Sequence, residues 1–313
     1  MLALCLEASH ARGMGHLFRA LALAEALTSL GGKVHFYLND FAPAQDLLRA
    51  RGRSFSTVGL ADSDWAAAII REDGITAWIN DRLDTGATHA QSVRQAGAHL
   101  VSFDDRGAGA HMADLNIVAF PASENEKLPG RRMLTGTQAL VLDPAIAAFQ
   151  RPRDSLNSLV ISMGGSDTYG VTVQVAQALK QRGRDATVIL GPGFAHDREL
   201  AAVGHGGLTI KRNIPSLAEE FFRHDLAITA GGMTPCEANA AGLPCIVIAT
   251  ERWEARVGRV LEQLGGSLFT GSRDDIDFSF LDRPLAIAAM SAAAMRGVPH
   301  DGAQTVARQI LAL

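Results

Sequence analysis

Short runs of apolar, β-branched residues alternate along the chain with longer Ala- and Leu-rich runs. The short runs fall at residues 2–6, 34–38, 75–79, 99–103, 159–163, 187–190, 226–229 and 245–249. They are apolar at successive positions, the pattern of parallel strands covered by helices on both faces. The long runs have helical spacing. Between residues 15 and 32, Leu17, Leu21, Ala24 and Leu27 recur every three to four positions, and Gly31-Gly32 supplies a stop. The alanine-rich stretches near residue 201 and over 286–294 also read as helix. This βαβα rhythm predicts parallel α/β sheets. It breaks once, between residues 121 and 156, where Leu142-Asp143-Pro144 and Arg151-Pro152-Arg153 mark a linker. The run at 159–163 then restarts the pattern as a first strand does. The expectation is two Rossmann-like α/β domains, residues 1–150 and 151–313, facing a cleft. Residues 301–313 form an amphipathic helix able to pack back on the first domain.

A chain of 313 residues with 47% hydrophobic positions can bury a core in each half. The formal net charge is -4, and no Lys/Arg block offers a face for nucleic acid. A phosphate-bearing ligand must then be held locally, by oriented backbone N–H groups. Cys5, Cys236 and Cys245 are odd in number and lack Cys-x-x-Cys spacing. That argues against a disulfide framework or a zinc site, and for a reducing, cytoplasmic setting. Glu7 follows a very short apolar run, so the start does not read as a signal peptide. No apolar stretch approaches the ~18 residues of a membrane span. His35, His99 and His111 have no metal-ligand spacing, and neither a metal nor a cofactor is expected. The chain has no nucleophile elbow and no P-loop.

Three glycine turns follow predicted strands. The first runs from Glu7 to His16 and contains Gly13 and Gly15, which allow a sharp turn and close approach of a ligand. His16 then stands near a helix N-terminus, where the dipole disfavours imidazolium and leaves a neutral ring able to accept a proton. A plain strand-to-helix turn accounts for the same residues. The second turn, Gly164-Gly165-Ser166-Asp167, suits a phosphate at a helix N-terminus, or an ordinary cap with Asp167 as the capping residue. The third is Ala230-Gly231-Gly232-Met233-Thr234-Pro235-Cys236-Glu237. Here Thr234 reads as an N-cap and Glu237 as its capping-box partner, with ribose binding by Glu237 as the functional alternative. All three turns fall at the carboxyl ends of parallel strands, the edge at which open α/β sheets bind ligands. Asp81, Asp84, Asp104 and Asp105 follow two first-domain strands and are either cleft carboxylates or turn residues. Arg252 and Trp253 follow the run at 245–249 and either meet a ligand or cover the sheet edge.

At these residues the chain resembles the UDP-sugar hydrolases of pseudaminic acid biosynthesis, which act on a UDP-linked diacetamido-trideoxy-altropyranose. It also resembles the spore-coat polysaccharide glycosyltransferase-like proteins, both of GT-B architecture. The matching pieces are Gly13-Met14-Gly15-His16 with Arg19, residues 161–167, Asn213-Ile214, and residues 230–237 followed by Gly242-Leu243-Pro244. Leu140-Val141-Leu142-Asp143-Pro144 resembles the interdomain stretch. The resemblance implies a catalytic role for His16 and a uridine site at Ile214 and Glu237. It implies a diphosphate site at Gly165, Ser166, Gly232, Met233 and Thr234. Gly13, Gly15, Arg19, Asp81 and Asp105 then fall near the sugar. Glu251-Arg252-Trp253-Glu254 stands where the hydrolases carry Asn-Gln, and Glu7 where they carry Asp. The expected function is hydrolysis of a UDP-sugar, with inversion, to UDP and a free deoxy-diacetamido sugar. The alternatives are GT-B glycosyl transfer from a UDP-sugar and a non-catalytic nucleotide-sugar-binding protein.

Overall fold

A computed structural model describes residues 1–9, 15–120, 126–204 and 206–313. The chain divides into two compact units, Met1–Pro144 with Asp301–Leu313, and Ala145–His300.

The first unit runs β1 (Leu2–Leu6), α1 (Gly15–Ser29), β2 (Val34–Leu38), α2 (Ala42–Ala50), β3 (Phe55–Thr57), α3 (Ala66–Asp73), β4 (Ala77–Asp81), α4 (Ala87–Gln95), β5 (His99–Phe103), β6 (Leu115–Val118) and β7 (Met133–Thr135). Its sheet has the order β3-β2-β1-β4-β5-β6-β7, all parallel. Alternation along β1 divides the core between the two faces. Leu2, Leu4 and Leu6 join Leu17, Leu21, Phe36, Ile79 and Phe103 on one face. Ala3 and Cys5 join Tyr37, Trp78, Leu100, Ile70 and Val93 on the other.

The second unit runs β8 (Leu159–Ser162), α5 (Val171–Gln181), β9 (Ala186–Leu190), α6 (Asp197–Val203), β10 (Leu208–Arg212), α7 (Leu217–Phe222), β11 (Leu226–Ala230), α8 (Thr234–Ala240), β12 (Cys245–Ala249), α9 (Glu254–Gln263), β13 (Ser267–Ser272) and α10 (Ile287–Gly297). Its strands are ordered β10-β9-β8-β11-β12-β13, again all parallel. Both sheets therefore carry the Rossmann strand order, and each has one topological switch point: β1/β4 in the first sheet and β8/β11 in the second.

Two sequence expectations change. The boundary lies at Pro144 rather than 150, and α11 (Gly302–Leu311) is part of the first unit, packing back on it as the amphipathic pattern of 301–313 allows, although the expected bounds counted it with the second. The reason is apolar burial: Ala303, Val306, Ala307 and Ile310 enter the same core as Leu17 and Leu21 of α1. Part of the expected linker is also sheet, because β7 pairs with β6. Its three residues are only half-buried at an edge, too few to show a period. Pro121, the start of that stretch, lies outside the described residues. The strand expected at 75–79 is observed two residues later, because the polar Asn80 and Asp81 continue it in full burial.

Candidate functional site

In the first unit the chain diverges past the carboxyl ends of β1 and β4, and α1 starts there. His16 and Arg19, three residues apart, share one face of α1. Asp81 is the last residue of β4 and Asp104 is the first residue past β5. These four side chains form one network. His16 Nδ1 lies 2.6 Å from Asp81 Oδ1. Arg19 donates from Nε to Asp81 Oδ2 at 2.8 Å and from Nη2 to Asp81 Oδ1 at 2.5 Å. Its Nη1 donates to Asp104 Oδ2 at 2.6 Å, and its guanidinium covers the Phe103 ring at 4.8 Å.

Asp81 is 3% exposed. Burial alone raises its carboxyl, but the Arg19 guanidinium and the hydrogen bonds from Arg19 and His16 hold it below the usual carboxylate range. An ionised carboxylate only accepts, so His16 Nδ1 carries a proton, and Nε2 holds a lone pair whenever the ring is neutral. A His–Asp pair of this kind can orient a neutral imidazole to accept a proton.

Asp105 does not join this network. It is buried, and its Oδ1 accepts from the Thr85 and Gly107 N–H groups at 3.1 and 2.9 Å. Its Oδ2 accepts from the Thr85 hydroxyl. The carboxylate is consumed in pinning two loops, which corrects its expected place beside a sugar. Asp81 and Arg19 likewise serve His16 by direct contact. Gly15 opens α1 with free space around its Cα, and Gly13 lies outside the described residues.

In the second unit a cleft of about 310 Å³ opens at the β8/β11 switch point. Its lining comes from the turn after β8 (Gly164, Gly165, Ser166, Tyr169), the turn after β11 (Gly232, Met233, Thr234) and the loop after β12 (Thr250, Glu251, Trp253, Glu254). Gly164 adopts φ +81° and Asp167 φ +43°. The Asp167 carboxylate accepts the Val171 and Thr172 N–H groups, each at 2.8 Å. It therefore caps α5, as the capping reading has it. With those two donors taken, the phosphate expected at the α5 N-terminus has no free N–H there, and the glycine turn itself faces the cleft.

The capping box of Thr234 and Glu237 does not form. The Met233 carbonyl takes the first helical hydrogen bonds of α8, from the Cys236 and Glu237 N–H groups, and no side chain caps the helix. The helix starts one residue earlier than expected, and this moves Glu237 off the capping-box position. Ile214, past β10, and Glu237, in the first turn of α8, lie at the same sheet edge but are absent from the cleft lining.

Thr168, Tyr169 and Thr250 of the lining escaped the sequence reading, and Glu254 was noted there only as part of the stretch 251–254. Glu254 is buried, and its Oε2 accepts from the Thr250 N–H (2.7 Å), the Thr250 hydroxyl (2.8 Å) and the Glu251 N–H (3.1 Å). Its signal was a Thr four residues before a Glu at a helix start. Tyr169 donates to Glu251 Oε1 at 2.9 Å and stacks under Arg273, 3.6 Å from the ring. Trp253 stands at the rim, 63% exposed, while Arg252 does not line the cleft. Among the described lining residues there is no lysine or arginine. An anion placed here would meet no basic side chain of that lining and would depend on backbone N–H groups.

No known protein-family profile matches the chain. It is similar to the uncharacterized protein MJ1062 of Methanocaldococcus jannaschii, 26% identical over 79% of this chain and 55% of that protein. The chain thus spans about half the length of that relative. It is also similar to the spore coat polysaccharide biosynthesis protein SpsG of Bacillus subtilis, 21% identical over 85% of this chain and 82% of that one. Among solved structures, Acinetobacter baumannii MurG superposes with a TM-score of 0.74 at 15% identity, covering 100% of both chains. Anabaena Alr3699/HepE in complex with UDP gives 0.70 at 12% identity, again covering 100% of both. The spinosyn rhamnosyltransferase SpnG with thymidine diphosphate gives 0.59 at 14% identity, covering 99% of this chain and 100% of that one. The fold is that of the GT-B glycosyltransferases. Among the described residues, no helix is long and apolar enough to cross a membrane.

Proposed function

We propose that this protein is a GT-B glycosyltransferase that takes a sugar from a UDP-linked donor and passes it to an acceptor hydroxyl. The observation that carries the proposal is the His16–Asp81 pair, which leaves Nε2 of a fixed imidazole as a proton acceptor. In this reading His16 Nε2 takes the hydroxyl proton as the acceptor oxygen forms its bond to the anomeric carbon. The bond from that carbon to the diphosphate oxygen breaks, its electron pair leaves with UDP, and the anomeric configuration inverts. The second unit holds the leaving diphosphate on the backbone of Gly165, Ser166, Gly232, Met233 and Thr234, with Ile214 and Glu237 assigned to the nucleoside. Oriented N–H dipoles stabilise the developing charge, so the chemistry runs without a metal ion.

Transfer takes precedence over hydrolysis because the descriptions of the similar proteins name polysaccharide biosynthesis and rhamnosyl transfer. UDP and thymidine diphosphate in the solved relatives support a pyrimidine nucleoside diphosphate. The test is a panel of UDP- and TDP-linked sugars, each with and without hydroxyl acceptors, following nucleoside diphosphate release and the anomeric NMR signal. Release that requires an acceptor and inverts the anomeric centre is expected. Release in acceptor-free buffer establishes hydrolysis instead, and binding without release establishes a non-catalytic protein. His16→Ala is expected to lower turnover by roughly 10²–10⁴-fold and leave donor affinity unchanged.

A further inference from the structure

Asp104 has φ +51°, a left-handed conformation costly for a residue with a side chain. Its backbone is nevertheless fixed, since its N–H donates to the Ile117 carbonyl at 2.9 Å and its carbonyl accepts from Arg106 Nη1 at 3.1 Å. The strained backbone aims the carboxylate at Arg19 Nη1. Arg19 in turn stands 3.5 Å from His16 Nδ1 through Nη2, the nitrogen that also holds Asp81. The charges run in a row: imidazole, Asp81 carboxylate, Arg19 guanidinium, Asp104 carboxylate. Arg19 cancels much of the attraction that Asp81 offers an imidazolium. Asp104 offsets Arg19 and restores it.

We propose that Asp104 is a positioning residue that sets the orientation and basicity of His16 through Arg19. The inference rests on His16 as the base. Among the described residues, the charged groups at this edge include Asp81, Arg82 and Asp84 at and past β4, Arg19 from α1, Asp104, Asp105 and Arg106 past β5, Glu7 past β1 and Asp40 past β2. Beyond Asp104, Arg106 is paired with Glu126 at 2.7 and 3.1 Å. Removing the Asp104 charge leaves the Arg19 cation less compensated, which disfavours imidazolium. The base then stays neutral to lower pH and is weaker when neutral.

Asp104→Asn is the informative variant, because asparagine tolerates the left-handed backbone and keeps an acceptor for Arg19. In the full-length protein, the acid limb of the kcat/KM profile should move down by about half a pH unit to one unit. Turnover on the plateau should fall roughly 3- to 30-fold, with donor KM and thermal midpoint nearly unchanged. Arg19→Gln should move the acid limb the opposite way, which loss of packing does not reproduce. The His16 imidazole titration followed by NMR gives the same two shifts without any substrate, so the inference stands or falls even if no donor turns over. If that titration is the same in wild type and Asp104→Asn, or moves in the same direction in both variants, the inference is overturned.

Discussion

At the switch point of the first sheet, His16, Arg19, Asp81 and Asp104 bond to one another and present a polarised imidazole. At the switch point of the second, the buried carboxylates are spent on backbone. Asp167 holds the start of α5, and Glu254 Oε2 holds two N–H groups and a hydroxyl of the loop after β12. On the proposed function, the same strand order carries two kinds of site. A proton-transfer centre needs side chains whose charges tune each other. A cradle for a diphosphate needs a shaped run of N–H groups and room, which glycine turns supply. The difference explains how a chain of net charge -4 can be read as binding a polyanion without a basic patch.

The contrast breaks most sharply at Asp81. In Asp81→Asn the amide can donate to His16 Nδ1 and reverse the tautomer, placing the proton on Nε2 where the lone pair was. Turnover is expected to fall roughly 10³–10⁴-fold, as for the equivalent change in a serine-protease triad. Donor affinity, a property of the second unit, should hold. Breaking the buried pair with Arg19 should also cost about 3 kcal/mol of stability, measured by urea unfolding at pH 7. Because the Asp81 carboxyl is held low in the folded protein, its contribution is present above the unfolded carboxyl range and is lost as pH falls through the lower folded value.

A second asymmetry lies in the buried histidines. His89 of the first unit stacks on Trp65 at 5.1 Å and meets Trp78 edge-on at 5.8 Å, with both ring nitrogens unpartnered. Burial, then the nearby Arg82 charge, push its pKa down from 6.5 to about 4. The unfolded chain therefore takes up a proton that the folded chain refuses. Stability should fall as pH drops from 6.5 towards 4, by roughly 2 kcal/mol at pH 5. In the second unit, burial also lowers His224, but its ring nitrogens are bonded to the Glu220 carbonyl at 2.7 Å and the Thr187 hydroxyl at 3.0 Å, and the larger fall, to about 4, is that of His89. The first unit should accordingly lose its near-ultraviolet circular dichroism before the second on acidification. His89→Phe should flatten that part of the profile. An unchanged slope in this variant would assign the acid sensitivity elsewhere.

The smallest effect separates two neighbouring glycines of the cradle. A Cβ on Gly231 would stand 2.7 Å from Glu254 Cβ and 2.7 Å from its carbonyl oxygen, whereas on Gly232 the nearest atom is 3.7 Å away. Gly231→Ala should cost about 1–3 kcal/mol by overpacking. Gly232→Ala should stay within about 0.5 kcal/mol of wild type, yet weaken UDP binding in calorimetry because its methyl enters the cleft. Equal affinity in the Gly232 variant would mean that the diphosphate does not approach this turn.

The central strands were legible because a parallel strand covered on both faces buries apolar side chains at nearly every position, as at 2–6 and 245–249. Strands β3, β7, β10 and β13 carry polar or half-buried residues at or near sheet edges and left no such run. Asn116 interrupted β6 although that strand is fully buried. The glycine turns after β8 and β11 were visible as sequence, and the structure brings Gly165, Ser166, Gly232, Met233 and Thr234 to one cleft. The roles of Glu254 and Tyr169 were not legible, because one depends on how its own loop folds back on it and the other on a hydrogen bond to a different loop. Four aspartates near the first switch point looked alike in sequence, yet Asp81 and Asp104 join His16 and Arg19 while Asp105 ties a loop.

By itself, the sequence determined two parallel α/β halves, glycine turns at the ligand edge of their sheets, and a histidine beginning the first long helix. Those features are local, because hydrophobic period and glycine content act over a few residues. Tertiary structure alone decided where the first unit ends, that α8 starts a residue early, and which aspartate faces His16. Each of those depends on which long-range neighbours fill the space around a side chain, a choice made by packing and charge pairing between elements far apart in the chain.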